Sequence, residues 1–287
     1  MENMPAFLRT GSKAAEGNVG RKDAAMSKIA CIGDSCVDHY DMYDQKSPGG
    51  NPVNFAVYFR RMGGEASFIG AVGSDSDGAL VCSAREDKGV DVSHVQTLPG
   101  PTSTTHVAVE NGNRVFTAYD PGVMEQFSLR PEDFEFIRAH DLAVTALWGR
   151  CEHDLGRIRA MGIPVAFDCA DLPFDPAAQA ALPDTDIAFF SDDGEDEQAL
   201  KRTIEILFAM GPSIVVAMRG ARGSLAYDGS RYYTQSAIKC PVVDTLGAGD
   251  SYIAGFLYSY LQGLPMKQCM RSGAKNAAVT IGYLGAW

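Results

Sequence analysis

The stretch D-T-L-G-A-G-D-S-Y-I-A-G-F-L, residues 244–257, decides how the rest of the chain is read. An apolar run, Cys-Pro-Val-Val (240–243), delivers the chain to Asp244, and an apolar helical pattern begins at Asp250. Between them Gly247, Ala248 and Gly249 carry almost no side chain, so their N–H groups can approach a ligand closely. A helix start also presents the positive end of its dipole. Two readings stand side by side. The stretch is an ordinary glycine-rich strand-to-helix turn with Asp250 as the cap. Alternatively it is an anion hole for a phosphoryl group in flight, with Asp250 placed to take a proton from a hydroxyl nucleophile.

Working outward, short apolar runs alternate with helical stretches from Lys28 onward. Strands are expected at Ile29–Gly33, Ser67–Val72, Leu142–Leu147, Pro164–Asp168, Ile187–Phe190 and Ile214–Met218. Their unbroken apolar character suits parallel strands covered on both faces. Helices are expected at Pro52–Met62, Gly78–Lys88, Pro131–Ala139, Glu152–Met161, Asp196–Met210, Asp250–Gln262 and Met266–Tyr283. This alternation predicts an α/β fold with a doubly wound, mainly parallel sheet. It breaks at Cys36–Met42, which follows the first strand without a helix, and at Thr102–Tyr119, which reads as a hairpin around Glu-Asn-Gly-Asn-Arg (110–114). Together these predict a small β-sheet apart from the main layer. A second hairpin is expected around Asp-Gly-Ser (228–230).

The totals set bounds. A chain of 287 residues with 46% hydrophobic content supports a sizeable core. The formal net charge of -11 speaks against nucleic acid, which selects basic stripes. No run approaches the ~18 apolar residues of a membrane span. Seven scattered cysteines without a Cys-x-x-Cys pair read as free thiols in a reducing, cytoplasmic compartment, five of them in or beside apolar runs. Residues 1–26 are polar and read as a disordered leader, from an upstream start or a cloning remnant, with Met26 as the functional beginning and 27–287 as one domain. A transit peptide fits less well, because this stretch carries acidic residues.

Other stretches carry two readings each. In Ser-Pro-Gly-Gly-Asn-Pro-Val-Asn (47–54), Gly49 and Gly50 permit an unusual turn, and Asn51 and Asn54 either cap a helix and face solvent or offer amides to sugar hydroxyls. Asp34 and Asp38 either solubilise a turn or accept hydroxyls. Asp192 and Glu195, in Ser-Asp-Asp-Gly-Glu-Asp-Glu-Gln (191–198), either complement a helix dipole or position magnesium through water. Arg219, Gly220, Arg222 and Gly223 form either a nucleotide-phosphate loop or a plain turn into a hairpin. The chain lacks Gly-x-x-x-x-Gly-Lys-Ser/Thr, Gly-x-Gly-x-x-Gly after a strand, His-Glu-x-x-His and Gly-x-Ser-x-Gly. These absences argue against P-loop, dinucleotide, metalloprotease and α/β-hydrolase chemistry.

Gly49, Gly50, Asn54, Ala56, Gly63 and Gly73, followed in order by Asp-Thr-Leu-Gly-Ala-Gly-Asp (244–250), resemble the two signatures of the ribokinase-like, PfkB-type carbohydrate kinases. The resemblance extends from about Lys28 to Trp287. Ile-Gly-Asp-Ser-Cys-Val-Asp-His-Tyr (32–40), Ala-Leu-Trp-Gly (146–149), Ala-Phe-Asp-Cys-Ala-Asp (166–171) and Gly-Ala-Trp (285–287) are further similar to the branch that phosphorylates the 6-hydroxyl of fructoselysine or a related fructosamine. It implies Asp250 as catalytic base and Gly247, Ala248 and Gly249 as the anion hole. Asp38, Gly50, Asn51 and Asn54 would bind sugar. Asp192 and Glu195 would organise Mg2+ and phosphate, although Asp192 replaces the family's Asn. Arg219, Gly220, Gly223 and Asn276 would hold ATP, with Arg219 where the family usually has a small residue. Asp244 and Thr245 would lie near a K+ site. The β-sheet at about 36–42 and 102–119 would be a lid and a homodimer interface. Asp41, Tyr119 and Trp148 are candidates for the end of the pocket that takes the amino-acid tail, and plain lid and core packing is their other reading. Two rival functions share the fold: another sugar or nucleoside kinase, and a catalytically silent sugar-binding module.

Overall fold

A computed structural model describes residues 26–40, 45–110 and 113–287. Most of the expected leader, together with Asp41 and Met42, lies outside them. The strands are β1 Lys28–Gly33, β2 Cys36–Tyr40, β3 Gln45–Gly49, β4 Glu65–Gly73, β5 Asp91–Leu98, β6 Ser103–Glu110, β7 Asn113–Asp120, β8 Leu142–Ala146, β9 Val165–Asp168, β10 Ile187–Ser191, β11 Ile214–Met218, β12 Ser224–Tyr227 and β13 Tyr232–Gln235. Nine of them form one sheet in the order β13-β12-β11-β10-β9-β8-β1-β4-β5. Its strands run parallel from β11 through to β5, and the hairpin β12–β13 adds an antiparallel edge.

The parallel strands are apolar on both faces, and successive residues alternate between two cores. Ile29, Cys31, Phe189 and Val216 face one core with helices Asn51–Arg61, Ala248–Leu261 and Met266–Thr280. Ala30, Ile32, Phe190 and Val215 face the other with helices Pro131–Ile137, Leu155–Ala160, Pro176–Ala181 and Glu197–Ala209. The period of two explains why unbroken apolar runs were required: each residue has a covered side to fill. Helix Ala248–Leu261 is buried nearly all round, as its uniformly apolar sequence demands. Phe189 of β10 meets its Phe256 edge-to-face at 5.3 Å.

The second sheet has the order β3-β2-β6-β7, with β2 and β6 parallel and the two outer pairs antiparallel. The expected lid strands are therefore present, joined by β3, which Pro48 and Gly49 disguise as a turn. Pro is tolerated there because β3 is an edge strand. Lys46 of β3 pairs with Asp77 at 2.7 Å, tying this sheet to helix Ser76–Glu86. Among the described residues no helix is long and apolar enough to cross a membrane. All seven cysteines are free, and Cys31, Cys36, Cys151, Cys169 and Cys269 are buried.

Candidate active site

In a doubly wound sheet, ligands gather at the carboxyl ends of the parallel strands, where the winding reverses. Here that reversal lies at β1, flanked by β4 and β8. Asp34 follows β1, Asp168 ends β9, Asp192 follows β10 and Arg219 follows β11, all on this side. The left-handed N-cap Gly247 (φ 71°) turns the chain into helix Ala248–Leu261. A Cβ at Gly247 would press into the Tyr58 hydroxyl, so both conformation and space require glycine. At Gly249 a Cβ would touch only Met218, at 3.6 Å, so nothing in the protein itself demands a glycine. The Ala248 N–H donates to Thr245 O at 3.2 Å. The helix start leaves the Gly249 and Asp250 N–H groups without intrahelical acceptors.

Asp250 is buried (7% exposed) and does not cap its own helix. Its two carboxylate oxygens instead accept hydrogen bonds from Asn51 Nδ2 at 2.8 Å and Asn54 Nδ2 at 2.7 Å. Both donors come from the first turn of helix Asn51–Arg61. Gly50 makes that approach possible: its φ is 107°, and a Cβ there would lie 2.7 Å from the Asp34 carbonyl oxygen. Gly49 packs as closely over the Asp38 carboxylate. The Asp250 pKa is raised to about 6: burial pushes it up, the two amide donors hold it down, and the charge of Asp38 adds to the rise. The sequence thus brings Asp38, Gly50, Asn51, Asn54 and Asp250 into one cluster.

Of the expected nucleotide residues, Arg219, Gly220 and Gly223 share one turn after β11, and Asp192 lies beside it. Arg219–Gly223 forms a tight turn closed by Arg219 N–H on Gly223 O at 2.8 Å. Arg222 Nη2 reaches the Asp192 carbonyl at 3.4 Å, joining this turn to the acidic loop. Next to it a cleft of about 610 Å³ is lined by Gln235, Ser236, Ala237, Ile238, Arg271 and Lys275. Asn276 follows Lys275, and its amide donates to the Ser251 carbonyl at 2.7 Å, stapling the two C-terminal helices. Arg271 and Lys275 belong to no motif in the sequence. They are two cations on one helix face, which is a weak signal unless the cleft is seen.

Asp192 accepts from the Gly194 N–H at 2.8 Å within its own loop, and Glu195 is exposed. Among the described residues no three His, Cys, Asp or Glu side chains come together as a metal site. Asp192 and Glu195 offer two oxygen donors on an open loop, the donor type that Mg2+ takes while it keeps several waters. Asp244 accepts from Leu246 N–H at 3.1 Å and from Gly285 N–H at 2.8 Å, while Thr245 is exposed. Tyr119 and Trp148 are each nearly half exposed; the Tyr119 phenol lies close enough to Asp34 and Arg150 to feel their charges.

Asp168 and Trp287, which the sequence marks only through the family resemblance, also reach this site. Asp168 is a buried acid ending an apolar strand, its pKa pushed up to about 8 by burial and then by the charge of Asp250. Asp34 is raised in the same way to about 7. In the unfolded chain such carboxyls release their protons near pH 4. The folded state therefore holds protons that the unfolded state has lost, a contribution complete below pH ~4 and lost as the pH rises through about 8. Urea melts should accordingly show stability falling from pH 6.5 to 8. Asp168→Asn, which keeps the acceptor for the Ala170 N–H, should remove about 1–2 kcal/mol of that fall. An unchanged pH slope in this variant would assign the proton elsewhere.

With this geometry in place, the profile of the pfkB family carbohydrate kinases matches residues 26–287. The chain belongs to the pfkB carbohydrate kinase family. The match spans both halves of the site and the lid. Among family relatives, the fructoselysine 6-kinase of Shigella flexneri is 40% identical, covering 91% of this chain and 100% of that protein. The fructosamine kinase FrlD of Bacillus subtilis is 31% identical, covering 91% and 93%. The ribokinase of Arabidopsis thaliana, solved with ribose and ATP, superposes with a TM-score of 0.80 at 20% identity, covering 91% of this chain and 94% of that one. The doubly wound sheet with its separate small sheet is thus the ribokinase-like fold.

Proposed function

We propose that this family member is an ATP-dependent kinase that phosphorylates the 6-hydroxyl of fructoselysine or a related fructosamine, with Asp250 as base. The observation that carries the reading is Asp250 itself: a buried carboxylate beside open helix-start amides, held by two asparagine donors. The similarity to the two fructosamine-directed kinases supports the acceptor class.

In this mechanism the sugar lies under the lid against Asp38, Gly50, Asn51 and Asn54. Asp250 takes the proton of O6 as that oxygen attacks the γ-phosphorus. The bond from γ-phosphorus to the β–γ bridging oxygen breaks, and ADP leaves. The open amides of Gly249 and Asp250, at the turn that Gly247 and Ala248 form, and the helix dipole bear the charge on the transferring group. ATP lies along Arg219–Gly223 and the cleft beside Arg271, Lys275 and Asn276. Asp192 and Glu195 would hold Mg2+ through water, where it would neutralise phosphate charge. Asp244 and Thr245 would lie near a bound K+. Residues 27–287 act as one domain, the lid joins two copies in a homodimer, and the free thiols fit a cytoplasmic setting.

An ADP-release assay tests the acceptor. Fructoselysine should be turned over at least about tenfold more efficiently than fructose, ribose or adenosine. Turnover confined to ribose, fructose or adenosine would move the chain to another branch, and sugar binding without ADP release would make it a silent module. With fructoselysine, kcat/KM should fall below pH about 6, because the base must be ionised to act.

A further inference from the structure

Gly-Ala-Trp (285–287) has no part in the mechanism above, yet it reaches the base through one residue. Trp287 Nε1 donates to Asn54 Oδ1 at 2.7 Å, and Asn54 Nδ2 donates to Asp250 Oδ2 at 2.7 Å. An indole N–H donates and cannot accept, whereas a primary amide carries a donor at one end and an acceptor at the other. If the buried Asn54 amide turned over, its carbonyl would face the Asp250 carboxylate and its NH2 would face the indole N–H. Both contacts would be repulsive. The indole therefore dictates which end of Asn54 meets the base.

The segment that carries the indole is itself fixed. Ala286 O accepts from the Tyr58 hydroxyl and, at 3.1 Å, from the Tyr283 hydroxyl. One Asp244 oxygen accepts from Gly285 N–H at 2.8 Å and the other from Leu246 N–H, in the loop that leads to Gly247. Asp244 thus couples the Trp287 segment to the anion-hole turn.

We infer that Trp287 is a positioning residue for phosphoryl transfer: its indole N–H locks the Asn54 amide so that a donor faces Asp250. The inference rests on the reading of Asp250 as the base. The groups facing Asp250 are Asn51 and Asn54 and, by charge, Asp38. Asp34, Asp168 and Tyr58 also feel its charge, and Lys88 lies over the indole with Nζ 5.8 Å from the ring centroid.

The chain has two tryptophans, so Trp148→Phe leaves one indole signal to follow by 15N-labelled NMR of the full chain. The Trp287 indole resonance should titrate together with Asp250, and Asp250→Asn should flatten that titration. Trp287→Phe keeps a ring and loses the donor. It should lower kcat about five- to tenfold, leave the acceptor KM within about threefold, and move the acid limb of the pH profile upward. A merely structural role would lower the melting temperature without moving that limb. Wild-type kcat and pH profile in Trp287→Phe would overturn the inference. Should that variant fail to fold, an indole signal that does not titrate, or one that still titrates in Asp250→Asn, overturns it instead. Absence of any kinase activity in the parent protein would remove the kinase reading and with it the role in phosphoryl transfer, while the NMR arm, which needs no turnover, would still decide whether the indole orients Asn54 toward Asp250.

Discussion

Asp250→Asn is expected to lower kcat by about 10²–10⁴-fold, the usual contribution of a positioned general base. Sugar and ATP binding should stay close to the parent. The substitution keeps the shape of the side chain and removes its proton affinity. Stability should not suffer much, because a carboxylate whose ionisation is disfavoured by burial is replaced by a neutral group. One cost remains: Asn51 and Asn54 both present donors, and an amide can accept from only one of them without a clash at the other. A rearranged Asn51, the more exposed of the two, absorbs this. Steady-state kinetics with calorimetric binding separates the effects. Turnover near the parent rate would remove Asp250 from the chemistry, and loss of both binding and turnover would make it a binding group.

Most of the fold was legible because a parallel sheet leaves little freedom. Strands covered on both faces must be apolar at successive positions, and β1, β8, β10 and β11 are. Failures fell where that rule relaxes. β5 alternates exposed Asp91 and Ser93 with half-buried Val92 and His94 at the open edge, so no apolar run marks it. β3 is an edge strand that tolerates Pro48. At the site, residues near a glycine turn stand out in the sequence, and in the fold Asn51 and Asn54 both hydrogen-bond Asp250. Residues that act through long-range packing do not stand out. Trp287 meets Asn54 across 233 positions of sequence, and only the folded chain brings them together. Asp168 was visible as an acid ending an apolar strand, but its effect depends on Asp250, which lies on a different element. Arg271 and Lys275 read as surface charge until helix Met266–Thr280 is seen against residues 235–238.

Gly247 and Gly249 look alike in sequence, and the structure separates them, which allows the anion hole to be tested apart from the fold. Gly247→Ala places a side chain on a left-handed residue and drives its Cβ into Tyr58, whose hydroxyl holds Ala286. The expected cost is about 2–4 kcal/mol of stability, the sum of backbone strain and overpacking. Activity should fall with it, because Tyr58 also anchors the segment that carries Trp287. Gly249→Ala meets no such obstacle. Its backbone is helical, its new methyl group would touch only Met218, and the change to alanine favours a helix by about 0.5–1 kcal/mol. Thermal melts should therefore match or exceed the parent. Yet that methyl group would stand among the amides proposed to receive the transferring phosphoryl group, and kcat should drop about 10²–10³-fold, the scale of losing an oxyanion donor. A stable, inactive Gly249→Ala protein beside a destabilised Gly247→Ala protein is the pattern that an anion hole requires. A fully active Gly249→Ala enzyme would mean that the phosphoryl group is held somewhere else, and the small residues before Asp250 would then serve the turn alone.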